Sequence, residues 1–259
     1  MMPMYTLKKS LGQHFLKDEN ISKKIVAALR ERPFDRLLEV GPGGGALTKY
    51  LLALEGVDFR AVELDEEKVR HLLSRWPGLQ GKIIPGSILD LPKPFQERFT
   101  VIGNFPYNIS SQILFKMLDW KEDLQTVIGM FQKEVALRVA AKEGSKVYGV
   151  LSVLIQAFFK VEYLFEVSEA SFTPPPKVKS AVIRLTPAPP PGFRDEASFF
   201  LLVRTAFNQR RKTLRNAVRS LFDEATLRDP VFDRRAEQLS ITEFAGLTIK
   251  MKNNQFLIK

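Results

Sequence analysis

Apolar positions in the first two-thirds of the chain alternate between two patterns. Short, nearly continuous apolar runs at 36–40, 59–63, 82–85, 100–103 and 126–131 predict buried strands. Between them, Ile21, Ile25, Val26 and Leu29 recur at helical spacing behind Asp18, whose carboxylate can cap the first turn. Residues 46–54, 66–75 and 109–118 predict further helices, and 132–141 has helical propensity. Gly149 to Phe159 predicts a buried helix, and 161–167 and 178–186 two strands that can close the sheet as a hairpin. Repeated strand–helix alternation predicts an α/β sheet covered on both faces.

The alternation stops at Thr186-Pro-Ala-Pro-Pro-Pro-Gly192. Proline lacks an N–H and resists central strands and helices, so this stretch predicts a stiff linker. Helical patterns follow at 196–207 and 212–221, and Ser240-Ile-Thr-Glu243 has capping-box spacing before another helix. The predicted organisation is therefore an α/β domain over 1–187 and a small helical domain over 192–259.

Apolar residues at 45% and charged residues at 26% are those of an ordinary globular chain, not a disordered one. The absence of cysteine removes disulfides, thiolate catalysis and Cys-based zinc. His14 and His71 alone cannot build a histidine-rich metal centre, so no metal is expected. Residues 1–10 do not read as a signal peptide, and the longest apolar run, 149–159, is too short to span a bilayer, which takes about 20 residues. A cytoplasmic location without membrane association is the expectation. His71 sits among charges and reads as surface.

Leu37-Leu-Glu39-Val-Gly41-Pro-Gly43-Gly-Gly45 joins a predicted strand to a predicted helix. Glycines allow a tight turn and close approach of backbone to ligand. Glu63 ends the next strand, at the spacing where a carboxylate grips two ribose hydroxyls. Strand, loop, helix, strand and acid in that order point to nucleoside binding. The loop also fits the dinucleotide fingerprint as Gly41-x-Gly43-x-x-Ala46, which leaves a dehydrogenase open at this point.

Asn104-Phe105-Pro106-Tyr107 follows a strand at the carboxyl end of the sheet, where open α/β sheets hold ligands. An exocyclic adenine amine is a poor nucleophile because its lone pair is delocalised into the ring. A carboxamide oxygen and a nearby backbone carbonyl can accept its hydrogens and favour the electron-rich, pyramidal form. Pro106 fixes the local backbone, and Tyr107 can stack on the base. Hydride transfer has no use for this set.

The net charge of +10 favours a polyanionic partner. Within 203–220 stand Arg204, Arg210, Arg211, Lys212, Arg215 and Arg219 with no acid among them. Arg and Lys contacts to phosphate supply most sequence-independent nucleic-acid affinity.

In order along nearly the whole chain, these motifs resemble those of the ribosomal RNA adenine N6,N6-dimethyltransferases that act on small-subunit (16S) rRNA. The resemblance implies a Rossmann-like, S-adenosylmethionine-dependent methyltransferase domain with a small C-terminal helical domain that helps seat rRNA. Lys9-Ser-Leu-Gly12-Gln13-His14-Phe15-Leu16 resembles the family's N-terminal motif, which implies cofactor contacts from His14 and Leu16. Gly41, Gly43, Glu63, Ser87 and Asn104 would complete the cofactor site. Asn104, Pro106 and Tyr107 would be catalytic, joined by Phe172 of Ser171-Phe172-Thr-Pro-Pro-Pro-Lys177-Val-x-Ser180, whose aromatic would stack on the flipped-out adenine. Arg204, Arg210, Arg211, Lys212 and Arg215 would bind RNA. One position departs from the pattern: Ser87 stands where the family usually carries an acid for the cofactor's adenine amine, and Asp90 is a nearby substitute. The implied substrate is two neighbouring adenines near the 3′ end of small-subunit rRNA, within an assembling 30S subunit, and a monomer suits so large a partner. A related enzyme methylating large-subunit rRNA, or an assembly factor that only binds, are the alternatives.

Overall fold

The computed structural model describes residues 14–252. Residues 1–13, with the Lys9–Gln13 part of the N-terminal motif and the leader reading of 1–10, lie outside the described residues. The chain forms two compact units, Met1–Ala136 with Lys160–Pro187, and Leu137–Phe159 with Ala188–Lys259. Residues 137–159, which the sequence assigns to the first domain, thus cluster with the helical C-terminal part. The proline-rich stretch marks the later crossing, whereas no change of composition marks the one at 136/137.

The first unit is built on a seven-stranded sheet. Its strands are β2 (Arg36–Val40), β3 (Asp58–Glu63), β4 (Ile83–Pro85), β5 (Phe99–Asn104), β6 (Leu124–Gln132), β7 (Phe159–Val167) and β9 (Ser180–Pro187). Their order is β4-β3-β2-β5-β6-β9-β7. β4, β3, β2, β5 and β6 pair in parallel, and β9 runs antiparallel to β6. Leu37, Leu38 and Val40 of β2 are all buried, as expected for a parallel strand covered on both faces. A separate pair joins β1 (Phe15–Leu16) to β8 (Phe172–Thr173).

The helices of this unit follow their caps. Asp18 accepts from Asn20 N and Ile21 N at the start of α1 (Glu19–Arg30), which buries Ile25, Val26 and Leu29. Asp65 caps α3 (Glu66–Arg75), on which His71 is half-buried rather than surface. The helix expected over 46–54 is only α2 (Thr48–Leu51), because the glycine loop enters it through turns such as Gly45 N to Pro42 O. α4 (Ser110–Asp119) and α5 (Lys133–Val139) follow β5 and β6.

In the second unit, the helix expected over 149–159 is α6 (Val150–Gln156), and the chain then passes into β7. α7 (Glu196–Asn208) is capped by Asp195, and α9 (Ile241–Ile249) by the reciprocal Ser240–Glu243 box. Tyr148 is buried and donates its hydroxyl to Leu239 O at 3.0 Å. The single helix expected over 212–221 is broken into α8 (Leu214–Ala217) and a 3₁₀ turn at Arg219–Leu221. At the start of α8, Leu214 N is taken by Arg234 O (2.7 Å), and Val218, at φ −113°, leaves helical geometry. No helix among the described residues is long and apolar enough to cross a membrane.

Candidate active site

The carboxyl ends of β2, β3 and β5 open into a cleft of about 460 Å³. Gly41, Gly43 and Gly45 take φ values of +66°, +56° and +81°, which side chains rarely adopt. A Cβ on Gly43 would come within 3.1 Å of the Phe15 ring. Glu63, buried at the end of β3, accepts from Gly43 N through Oε2 and from Asp65 N through Oε1, both at 3.0 Å. Two backbone donors thus hold the carboxylate, and each oxygen keeps a second lone pair for a ligand hydroxyl.

Glu39 lies one strand over and is more deeply buried, at 1% exposure. Desolvation raises its carboxyl to about 8; a Thr48 hydrogen bond opposes this and the Glu63 charge adds to it. The cleft also takes in Lys68, a buried ammonium 4.9 Å from the Phe15 ring centre and 4.0 Å from Asp65 Oδ2. Nothing in the helical spacing of 66–75 singled it out.

Asn104 closes β5 at the cleft's other side. Its Nδ2 donates to His14 O at 3.2 Å, which turns Oδ1 away with no partner among the described residues. Phe105 is fully buried, its ring 4.9 Å from that of Phe131. Pro106 O is already occupied, accepting from Ser110 Oγ at 3.2 Å and Ile109 N at 3.3 Å, so Pro106 contributes a fixed backbone. Tyr107, half-buried, has its ring 5.4 Å from that of His14, with 29° between planes. Its hydroxyl meets Ser180 Oγ. Burial raises the Tyr107 pKa, and the Ser180 bond only partly offsets this. Ser180 was visible as part of a motif, but nothing in the sequence showed that it touches Tyr107.

His14, Leu16, Gly41, Gly43, Glu63, Ser87, Asn104, Pro106 and Tyr107 therefore share one cleft. Phe172 does not join them. It is 1% exposed and packs in the core with Leu16, opposite which it pairs across β1 and β8. The ring thus stands behind the cleft wall, and the stacking role that the resemblance implies for it is not part of the geometry seen here. Ser87 Oγ accepts from Leu89 N at 3.1 Å. Asp90 is exposed and does not line the cleft, so it does not replace the missing acid.

In the second unit, the cations between Arg204 and Arg219 are not a uniform basic face. Arg210 pairs with Glu237 at 2.7 Å and also reaches Lys146 O. Arg215 pairs with Asp233 at 2.8 Å and donates to Leu227 O. Arg219 lies 3.9 Å from Glu224, and Arg204 sits over the Phe200 ring. Arg211 and Lys212 are exposed and have no ion-pair partner among the described residues.

The sequence model of the family described as ribosomal RNA adenine dimethylase matches residues 4–248. A protein named ribosomal RNA small subunit methyltransferase A from Cytophaga hutchinsonii is 50% identical over 250 residues, 93% of this chain and 95% of that one. One of the same name from Flavobacterium johnsoniae is 51% identical over 253 residues, 95% of each chain. Among solved structures, a dimethyladenosine transferase from Plasmodium falciparum superposes with a TM-score of 0.75 at 25% identity, covering 91% of this chain and 96% of its own. The 23S rRNA methyltransferase ErmE superposes with a TM-score of 0.66 at 25% identity, covering 90% and 99%.

Proposed function

The chain belongs to the ribosomal RNA adenine dimethylase family, and we propose that it dimethylates N6 of two adjacent adenines near the 3′ end of small-subunit rRNA, within the assembling subunit. It is an S-adenosylmethionine-dependent rRNA methyltransferase. The cleft fits that cofactor: Glu63 keeps lone pairs for a ribose diol, and a Cβ at Gly41 would meet nothing nearer than 4.0 Å, so the loop backbone is open to a ligand. His14, Leu16, Gly41, Gly43, Glu63 and Ser87 would hold it, with Asn104 at the boundary between cofactor and base. S-adenosylmethionine, when bound, supplies an electrophilic methyl group.

One observation carries the reading: Asn104 lines the same cleft as Tyr107, and its Nδ2 is committed to His14 O, which leaves Oδ1 without a partner among the described residues. Asn104 Oδ1 accepts a hydrogen from the adenine amine, keeps its lone pair out of the ring and directs it at the methyl donor. Dimethylation suits a single side-chain acceptor, because N6 keeps one hydrogen after the first transfer. Tyr107 presents its ring to the extruded base. Phe172 stiffens the wall through its pairing with Leu16. Arg211 and Lys212 give the helical unit free cations for rRNA phosphates, while Arg204, Arg210 and Arg215 chiefly brace that unit. A monomer is the working form of this reading.

The test is labelled methyl transfer from S-adenosylmethionine to undermethylated small and large subunits, followed by nucleoside mass spectrometry. Dimethyladenine in the small-subunit RNA alone is expected. Label in the large subunit would move the substrate assignment there, and no label in either would overturn the reading.

A further inference from the structure

We propose that His14 is a positioning residue for the target base, holding Tyr107 with its ring and Asn104 with its backbone. This rests on the reading of Asn104 and Tyr107 given above and goes beyond the cofactor contact that sequence resemblance implies for His14.

The His14 ring is fixed first. Nδ1 lies 2.9 Å from Pro174 O, and since a carbonyl only accepts, Nδ1 carries the hydrogen. That bond sets both the tautomer and the ring plane. So held, the imidazole stacks on Tyr107 with centroids 5.4 Å apart and planes at 29°. The tip of Tyr107 is held separately by Ser180, the first residue of β9, which pairs with Gln132 of β6. One face and the tip of the phenol are therefore restrained from two elements, and an incoming base has the opposite face to cover.

His14 reaches the second catalytic group through its main chain. Its carbonyl accepts from Asn104 Nδ2 at 3.2 Å. An amide that donates from nitrogen there presents oxygen elsewhere, which is the orientation the adenine amine requires. The acceptor and the stacking ring are thus referenced to one residue. Their ordering is complete before the RNA arrives, so the bound base meets a preformed geometry.

The two roles for His14 separate in measurement. His14→Leu fills the space but removes the flat ring and the Nδ1 donor, whereas His14→Phe keeps a ring able to stack. On undermethylated small subunits at saturating cofactor, His14→Leu should lower kcat about tenfold, in the range misplacement costs. His14→Phe should recover most of that loss. Calorimetric Kd values for S-adenosylhomocysteine read the cofactor contact of His14 separately and should be alike in the two variants, so that the difference in kcat between them at saturating cofactor belongs to the stacking ring. Ser180→Ala should also lower kcat, and the double variant with His14→Leu should lose less than the product of the two, because both side chains restrain one ring. The proposal is overturned if His14→Leu weakens S-adenosylhomocysteine binding while kcat at saturation is normal, if His14→Phe is as impaired as His14→Leu, or if the Ser180 and His14 effects simply multiply. Tyr107→Ala separates the two levels. Full activity in that variant would overturn the base-stacking reading itself, whereas its loss beside a normal His14→Leu would overturn only the role of His14.

Discussion

Thr48 Oγ1 donates a 2.7 Å hydrogen bond to Glu39 Oε2, tying the helix after the glycine loop to the strand before it. Glu39 is 1% exposed, and its carboxyl is raised from the ordinary 4.5 to about 8, chiefly by desolvation. Between those values the folded chain holds a proton that the unfolded chain has lost. Stability should therefore fall as pH rises across that window, by about 1.4 kcal/mol per unit at most from this group. Glu39→Gln keeps an acceptor for Thr48 and cannot ionise. Urea unfolding from pH 5 to 8 should show the variant gaining on the native chain as pH rises, and parallel curves would show that Glu39 ionises freely.

Gly103 matters through space rather than through its dihedral angles. A Cβ there would lie 2.6 Å from the Phe105 ring and 2.7 Å from Val40 O. The carbonyl belongs to the central strand β2 and cannot swing aside, so β5 must shift together with Asn104 at its end. Gly103→Ala should cost about 1–3 kcal/mol, the usual range for overpacking. Chemical denaturation reads the stability. Turnover should fall more than the loss of folded protein explains, because Asn104 moves with the strand.

Asn104→Asp separates the two jobs of the amide. A carboxylate still accepts from the adenine amine but cannot donate to His14 O, and two acceptors 3.2 Å apart repel. Turnover should drop about 100-fold or more, as when a positioned transition-state contact is removed, with cooperative unfolding retained. Near-native turnover in the methyl-transfer assay would take Asn104 out of the chemistry.

Much of this arrangement was legible before the structure, and the parts that were not share a cause. β2 and α3 follow directly from local pattern: an apolar run over 36–40 and a helical stretch over 66–75. The glycine loop, Glu63 and Asn104 are also local in sequence, and the cleft that they share was readable as a candidate site from their motifs. What escaped depends on contacts between distant residues. An aromatic that stacks on a base and one that packs in a core look alike in sequence, so the burial of Phe172 opposite Leu16 was not readable from it. The charges of 203–220 seemed uncompensated because Glu237 and Asp233 lie well downstream of Arg210 and Arg215. Residues 137–159 cluster with the C-terminal unit without any break in composition.

Those distant partners divide the basic segment into two classes with different expected phenotypes. Arg211 and Lys212 are exposed and without ion-pair partners among the described residues, so Arg211→Ala with Lys212→Ala should weaken binding to small subunits. The double variant should also reduce the slope of log K against log salt by about 1.4–1.8, the counterion release of two phosphate contacts. Arg210→Ala loses a bond to Glu237 and one to Lys146 O, so its main effect should be a lower melting temperature. An unchanged salt slope in the double variant would place the rRNA contacts elsewhere.

Ser87 offers a gain rather than a loss. It lines the cleft at the position where the family resemblance implies an acid, and its hydroxyl already accepts from Leu89 N at 3.1 Å. What remains for the cofactor's adenine amine is an uncharged lone pair. An aspartate can accept from Leu89 N with one oxygen and offer the other, with its negative charge, to the amine. Charge-assisted hydrogen bonds exceed neutral ones by roughly 1 kcal/mol, so Ser87→Asp should tighten cofactor binding about fivefold. Because the adenine amine is the same in S-adenosylmethionine and S-adenosylhomocysteine, the gain should be equal for both and kcat should not rise. Calorimetry with each ligand checks this. A gain confined to the sulfonium form would mean that the new charge acts at long range on the positive sulfur, and no gain at all would remove residue 87 from adenine recognition.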